Sequence, residues 1–568
     1  MKIRKLSILN FRGVKKLDWT LPDRNIFCLI GKGDASKSTI LDSIRFAFYP
    51  SWNLSLNDSD FYLANTSSPI KIEVSISDLP EDFYASTKYG NYLRGWDSKA
   101  QKLFDEPDDH LEEILTIRFL LENDLEPTWR VICDRYPEGI DFRYSDRIKV
   151  GVTLIGAYSE RQFSWANGSA LEKLTEAQDL NEALIHASRT ARDSLGDRRD
   201  TSLKNFDKAA QKTEAIAKSL GVPVKDKYQA HLDHSALNIK IGGLMLHDGQ
   251  IPLKSLGLGS RRMLLCGIQK TSLPSGHITL FDEVELGLEP HRIARLAKHI
   301  REDNSGQYLL TTHSPAVLRE LTIDDLHIVH NLNGLVNVIS VAQIEQNGHK
   351  TQGKIRSSAE AFLSKKIIVC EGATEVGILR GFDDYQIGLG KEPFCFHGVA
   401  LLDARGGGNV KEMAKAIFAM KYDVCVFADT DAKEQLSQAD IEELEEMGIP
   451  AIVWDNKCAL EERAMNDLPW EYVLRSVLFA REGLHFSVRD QVQNQFQSDL
   501  PDLVEEWKDT PELRAAIGKT AKNKGWFKDI SRGMSWFEIF APAFSNSEFL
   551  KTDLSKKLNS LWSWVEHD

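Results

Sequence analysis

The sequence predicts an α/β protein built from several domains. Apolar, strand-like runs alternate with helix-forming stretches twice, once before about residue 340 and again over residues 365–475. The two blocks are separated by a polar linker, "VAQIEQNGHKTQGKIRSSAEAF" (341–362), and the second is followed by a mostly helical tail. A chain of 568 residues accommodates roughly three or four domains, which fits this division.

The first strands are "KIRKLSILNF" and "NIFCLIG", and "STILDSIRFAFYP" is a helix stopped by Pro50. "SPIKIEVSISDL", "ILTIRFLLE" and "TWRVICDRY" follow as strands of an antiparallel sheet. From about 169 to 230 the chain becomes charged, helix-favouring and proline-free, and this stretch ends at Gly221-Val222-Pro223. The expected domains are an N-terminal lobe (1–168), a helical insertion (169–233), a second lobe (234–348), a parallel-sheet domain (349–475) and a helical C-terminal region (476–568).

Hydrophobic content of 42% and charged content of 27% are ordinary for a globular chain. No run approaches a transmembrane length of about 18 apolar residues. The N-terminus alternates apolar and polar residues in place of a signal-peptide core, which predicts a cytoplasmic protein with no membrane partner. The seven cysteines are scattered without metal-ligand spacing and read as small core residues. A net charge of −13 gives no bulk attraction to nucleic acid, so any such contact needs a local basic surface.

"GKGDASKST" (31–39) lies between a strand and a helix, the setting of a phosphate-binding loop. Gly31, Gly33, Ser36, Lys37, Ser38 and Thr39 form the cradle, with backbone N–H groups on the phosphates, Lys37 at the β/γ oxygens and Ser38 on Mg²⁺. Ser36 stands where the pattern has glycine, adding a Cβ where close approach or an unusual φ is the rule. "HITLFDEVELGLEP" (277–290) is an apolar strand that delivers Asp282 to the magnesium and Glu283 to the attacking water. "YLLTTHSP" (308–315) ends in His313, placed to sense the γ-phosphate.

In the second block "KKIIVCEGATEV" (365–376) ends a strand at Glu371 and opens a helix with Glu375. "YDVCVFADTDAK" (422–433) ends another at Asp429 and Asp431. Strand ends of an open parallel sheet converge on one crevice, so these acids can meet. Alternate residues of Asp-x-Asp face one way, which suits a hard divalent ion and phosphodiester cleavage. "AIVWDNKCALEERA" (451–464) adds Asp455, Glu461 and Glu462 as candidates for a second metal.

"ILNFRG", "GKGDASKS", "LFDEVELGLEP" and "TTHSP" resemble the ABC-type ATPase heads of the RecF, SMC and OLD group. The resemblance makes Arg12 a nucleotide contact and Glu285 to Pro290 a dimer-contacting loop. It places "PLKSLGLGSRRMLL" (252–265) as the signature segment that reaches across a dimer through Ser255, Gly257 and Gly259. The Glu371, Glu375, Asp429 and Asp431 set resembles the Toprim domain, where the first Glu and the two Asp hold metal or act in acid/base catalysis. An ABC head followed by Toprim is the arrangement of OLD-family endonucleases, including Gabija and retron-linked defence nucleases.

That family also carries a C-terminal lysine that stabilises phosphate charge; "KTAKNKGWFKDISRG" (519–533) offers Lys524 and Lys528, with Lys528 preferred. The implied cofactors are ATP and Mg²⁺, with Mn²⁺ as an alternative. The implied partners are DNA, a second copy of the chain, and a helicase or retron reverse transcriptase. The resulting expectation is an ATP-binding, metal-dependent DNA endonuclease of anti-phage defence. Two alternatives stay open: a non-cleaving DNA-binding scaffold with a vestigial Toprim domain, and a head that binds ATP but scarcely hydrolyses it.

Overall fold

The computed structural model describes residues 1–51, 54–155, 210–215, 246–272, 276–344, 358–430, 436–482 and 487–567, with isolated positions 190, 218, 227 and 353. The expected insertion at 169–233 falls almost wholly outside the described residues, as does Asp431.

The chain opens with β1 (Lys2–Phe11), β2 (Val14–Thr20), β3 (Ile26–Ile30) and α1 (Lys37–Ala47). Then come β4 (Ile70–Ser77), β5 (Arg94–Asp97), β6 (Lys102–Phe104), β7 (Glu112–Leu121), β8 (Thr128–Ile132), β9 (Ile140–Asp141), α2 (Tyr144–Val150) and β10 (Val152–Ile155). A short hairpin, β11 (His247–Asp248) and β12 (Ile251–Pro252), precedes α3 (Leu258–Ser272), β13 (His277–Phe281), α4 (Pro290–Arg301) and β14 (Gly306–Thr311). After α5 (Pro315–Glu320) the strands β15 (Leu326–Leu332) and β16 (Leu335–Ser340) lead to α6 (Val341–Ile344).

The second block is β17 (Lys366–Cys370), α7 (Ala373–Gly388), β18 (Val399–Asp403), α8 (Val410–Ala419), β19 (Asp423–Ala428), α9 (Gln438–Glu446), β20 (Ala451–Val453) and α10 (Leu460–Asp467). The C-terminal helices are α11 (Trp470–Glu482), α12 (Val488–Gln493), α13 (Pro511–Lys524), α14 (Ile530–Phe540) and α15 (Asp553–Glu566).

The chain divides into two compact units, each mixed α/β. The first comprises Met1–Arg12, Asp18–Ile26 and Ser38–Leu310. In it β13 runs parallel between β10 and β14, and every residue of "HITLF" is buried. A strand covered on both faces reads as an unbroken apolar run, and this one ends by releasing Asp282 and Glu283. β1, β4 and β7 form an antiparallel array that β5, β6, β8 and β9 extend. Helix α4 starts with Pro290 behind Glu289, buries Ile293, Leu296, Ala297 and Ile300 at helical spacing, and ends in a basic turn.

The second unit comprises Gly13–Leu17, Phe27–Lys37 and Thr311–Asp568. β15 lies parallel to β3 and antiparallel to β16, which in turn pairs with β2. A separate all-parallel sheet has the order β18-β17-β19-β20. One hydrophobic cluster joins this sheet to the C-terminal helices: it contains Ile368, Phe382, Phe427 and Trp454 together with Trp526, Phe527, Trp536, Phe537 and Trp562. Phe527 and Trp536 stack at 3.9 Å. Burying each such ring contributes roughly 1.5–3 kcal/mol, so the helical tail and the sheet stabilise one another.

Glycines set how closely two helices approach. A Cβ at Gly377 of α7 would lie 2.4 Å from Ile530 O, and one at Gly518 of α13 would lie 2.8 Å from the Glu462 Cα. Helix α14 therefore fixes α7, and α13 fixes α10, at backbone contact. Among the described residues no helix is long and apolar enough to cross a membrane.

Candidate functional site

In the second unit the phosphate loop holds its own lysine. Lys37 is 5% exposed, and its Nζ donates to Gly31 O and Lys32 O, both at 2.9 Å. Gly31 has φ +138°, and a Cβ there would lie 2.5 Å from Val329 O, so only glycine fits. Ser36 adopts φ +69°, a left-handed conformation that costs a side-chain-bearing residue roughly 1–2 kcal/mol. Its hydroxyl answers part of that cost by accepting a hydrogen bond from Asn331 Nδ2 at 2.8 Å. Asn331 also donates to Gly13 O at 2.9 Å and accepts from Gly334 N at 2.8 Å, so one amide ties the loop to the β15–β16 turn. The sequence reading passed over Asn331, because its partner lies 295 residues away.

In the first unit Ser38 Oγ donates to Asp282 Oδ1 at 2.8 Å, joining the two expected magnesium ligands. Thr39 follows in the first turn of α1. Arg12 donates to Asp60 at 2.9 Å and Asp42 at 2.5 Å, and these carboxylates hold its guanidinium at the mouth of the first unit's β1. Glu283 is exposed at φ +48°. Arg262, in α3, is 1% exposed and donates to the carbonyls of Asp282 (2.7 Å) and Glu283. Burial lowers the Arg262 pKa, opposed by Glu285, Asp282 and Glu283. Nothing local in the sequence marks this arginine, because the carbonyls it holds lie 20 and 21 residues further on.

The segment before Arg262 leaves Ser255 and Gly257 exposed, with open space around Gly257. Gly259 packs against Gly287 so closely that a Cβ would lie 2.1 Å from its carbonyl oxygen. In the second unit His313 is exposed just beyond β14.

The acidic residues of the parallel sheet are brought together at its C-terminal edge. Parallel register sets Cys370 beside Phe427, so Glu371 and Asp429 emerge from adjacent strands. Glu371 N donates to Phe427 O at 3.2 Å, and Asp429 N donates to Glu371 Oε2 at 3.0 Å. Asp429 Oδ1 accepts from Trp454 Nε1 at 2.8 Å and from Leu460 N, at the start of α10, at 2.9 Å. Both donors fall on Oδ1, and among the described residues Oδ2 is left to meet a proton or a cation.

Glu375 is 6% exposed and accepts from Gly372 N at 2.8 Å at the start of α7; Glu461 is 7% exposed in the first turn of α10. Helix N-termini favour carboxylates, and both acids sit at one.

Burial dominates the electrostatics. It raises Glu371, against the N–H groups of Asp429 and Gly407 and the ammonium groups of Lys522 and Lys528. Burial and then Glu461 push Glu375 up to about 8. Asp429 is held well above the carboxylate range by burial and by Glu375, Glu461 and Glu371, with Trp454 opposing. Glu461 is raised by burial first, with Glu462 and Glu371 adding and Lys528 opposing. Four desolvated acids that repel one another hold protons more readily than free carboxylates do, and a cation would answer the same repulsion.

The donor chemistry therefore fits a hard divalent ion, although among the described residues no three His, Cys, Asp or Glu side chains already form a metal-holding group. The remaining candidates are paired or exposed. Asp455 takes an ion pair from Lys557 at 3.5 Å, and Glu462 accepts from Ala459 N at 3.0 Å and pairs with Lys522 at 3.7 Å. Lys524 is exposed at the end of α13. Trp454 and Lys522 are the participants the sequence reading missed. Trp454 stands directly before Asp455 and its partner lies 25 residues away on another strand end, while Lys522 is one of several lysines in a basic helix end.

Two family models match stretches of the chain. Residues 143–319 match the family described as "AAA domain, putative AbiEii toxin, Type IV TA system". Residues 362–431 match "Overcoming lysogenization defect protein-like, TOPRIM domain". No curated protein sequence matches the chain. Among solved structures the chain is similar to an Smc head bound to the C-terminal winged-helix domain of ScpA, with 15% identity, a TM-score of 0.34, and coverage of 60% of this chain and 97% of that one. It is similar to a Pyrococcus furiosus Smc head with an extended coiled coil bound to the ScpA C-terminal domain, with 14% identity, a TM-score of 0.32, and coverage of 62% and 99%. The SMC head of Thermotoga maritima gives 15% identity, a TM-score of 0.29, and coverage of 60% and 99%.

Proposed function

The chain joins an ATPase domain to an OLD-like Toprim domain, the make-up of an OLD-family ATPase–Toprim fusion, and from that premise we propose that it is an ATP-binding, divalent-metal-dependent DNA endonuclease. The observation that carries the proposal is the desolvated acid set at one sheet edge, with Glu371 bonded to Asp429 and both raised by burial. Glu371, Glu375, Asp429 and Glu461 would hold Mg²⁺ or Mn²⁺, with Asp431 as a further carboxylate proposed from the sequence. A bound ion would supply charge neutralisation on the scissile phosphate and on water.

The chain's own groups do the rest. Trp454 and the α10 N-terminus orient Asp429 through Oδ1. Glu371, fixed by the N–H of Asp429, is suited to take the proton from water as the water oxygen bonds to phosphorus and the leaving-group P–O bond breaks. Lys522 and Lys528, whose charges act on Glu371, are suited to meet the phosphate anion. In the head, Lys37, Ser38 and Asp282 would hold ATP and magnesium, Glu283 would orient water, and nucleotide occupancy would control cleavage. Two heads would pair through Ser255, Gly257 and the loop from Glu285 to Pro290. A role in anti-phage defence, alongside a helicase or a retron reverse transcriptase, belongs to the same reading.

The test is incubation of the purified full chain with supercoiled plasmid and Mg²⁺ or Mn²⁺. Glu371→Gln and Asp429→Asn are expected to slow nicking by at least about a hundredfold, a loss of about 2.7 kcal/mol in transition-state stabilisation. Wild-type rates in either variant would remove the assignment.

A further inference from the structure

Two contacts within the second unit join the phosphate loop to the strand that carries Asp429. Lys32, directly after Gly31, ion-pairs through Nζ with Asp423 Oδ2 at 3.5 Å. Asp423 opens β19, and Asp429 follows its last residue. The second contact runs through the β15–β16 hairpin. Ser36 Oγ is bonded to Asn331, and the residue before it, His330, lies 2.8 Å through Nε2 from Met420 O. A carbonyl only accepts, so Nε2 carries the proton. Met420 closes α8 through its N–H on Ala416 O and Ile417 O, and β19 begins three residues later. Tyr422, between them, packs edge-on against His330 and donates to Phe362 O at 2.7 Å.

β19 has little freedom to absorb a displacement. It pairs with β17 on one side and β20 on the other, and Val424 to Ala428 are buried. Its far end is held by the bonds of Asp429 to Glu371, Trp454 and Leu460. A strand so bounded shifts as a unit, and a shift at Asp423 arrives at Asp429. At the loop, the Lys37 ammonium is shared between Gly31 O and Lys32 O. An incoming phosphate oxygen, fully charged where a carbonyl is only dipolar, attracts that ammonium more strongly than either carbonyl does. A cavity of about 610 Å³, lined by Lys32, Gly33, Ala35, Asn331, Leu335 and Lys421, gives loop and hairpin room to move.

We infer that Lys32–Asp423 and the Ser36–Asn331, His330–Met420 contacts form a relay by which nucleotide on the phosphate loop shifts β19 and with it Asp429. The inference rests on the proposed nucleotide control and names its path. The test is hydrogen exchange of amides 423–429 in the full chain, with and without a non-hydrolysable ATP analogue, whose binding is titrated in the same samples. In the wild type the analogue changes exchange by about fivefold or more; in His330→Leu/Asp423→Asn the change drops below about 1.5-fold, while analogue affinity moves by no more than about the fivefold that the lost coupling carries. His330→Gln, whose amide still donates to Met420 O, keeps the response. A bound analogue that leaves β19 unchanged in the wild type, or a response that survives in the double variant, overturns the relay. Plasmid cleavage is followed in parallel: an intact exchange response without cleavage removes the nuclease reading and leaves the relay standing.

Discussion

Replacing Glu375 by glutamine separates the electrostatic cost of the acid cluster from its packing. The amide has the carboxylate's shape and can still accept from Gly372 N, so the start of α7 keeps its bond. What is lost is a titration. The folded state lifts the Glu375 pKa from 4.5 to about 8. A folded pKa above the unfolded one means that the native protein keeps a proton the unfolded chain releases. The resulting stability is complete below about pH 4.5 and drains away as pH rises towards 8. Integrating the two titrations between about pH 6 and about pH 8.5 gives a loss of about 2–3 kcal/mol for the metal-free wild type. Urea unfolding in chelator, followed by tryptophan emission from Trp454, Trp526 and Trp536, measures it at the two pH values. The Glu375→Gln chain is expected to lack that part of the pH dependence and to be the more stable of the two at the higher pH. Added Mg²⁺ or Mn²⁺ should restore the wild type there and stabilise the variant by clearly less. Parallel loss of stability in both chains, or equal stabilisation by metal, would refute the account of Glu375 as a desolvated carboxylate awaiting a cation.

Trp454→Phe keeps the ring that packs on Phe427 and removes the N–H on Asp429 Oδ1; the expectation is a 10- to 100-fold (order-of-magnitude) weaker metal affinity by calorimetry at a stability cost of about 1–3 kcal/mol. Ser36→Gly gives up the Asn331 bond and relieves the left-handed backbone, opposing effects of about 1 kcal/mol each, so its unfolding midpoint should stay close to wild type. Asn331→Ala strands Ser36 Oγ, Gly13 O and Gly334 N together and should cost about 1–3 kcal/mol in the same assay. Arg262→Met removes both donors behind Asp282 and Glu283; ATP hydrolysis should fall by about tenfold or more while ATP affinity moves by less than about threefold, since the arginine acts on the backbone that aims Glu283.

What the sequence made legible follows from where each signal is stored. Strand-ending acids are local: "IIVCEG" and "VCVFAD" announce buried parallel strands because both faces are covered, and the acid then marks the sheet's carboxyl edge. The phosphate loop is local too, and its serine could be flagged as a departure from pattern. Its tolerance was not legible, because the compensating bond comes from Asn331 on a distant hairpin.

The same limit applies to the C-terminal helices. Their apolar residues mark them as packed against something, but periodicity does not name the partner, and a helical tail is how such a stretch reads in isolation. In the structure Gly377 and Gly533 meet at the α7–α14 crossing, and Gly518 abuts Glu462, so the backbone positions of Glu375 and Glu461 are set by residues more than fifty positions away in the chain. A side chain larger than hydrogen at any of these three glycines pushes an acid-bearing helix off its seat. The acidic edge is thus a product of the whole C-terminal half, and an excised 349–475 segment would carry every proposed ligand while lacking α13 and α14, the two helices that hold α10 and α7 in place.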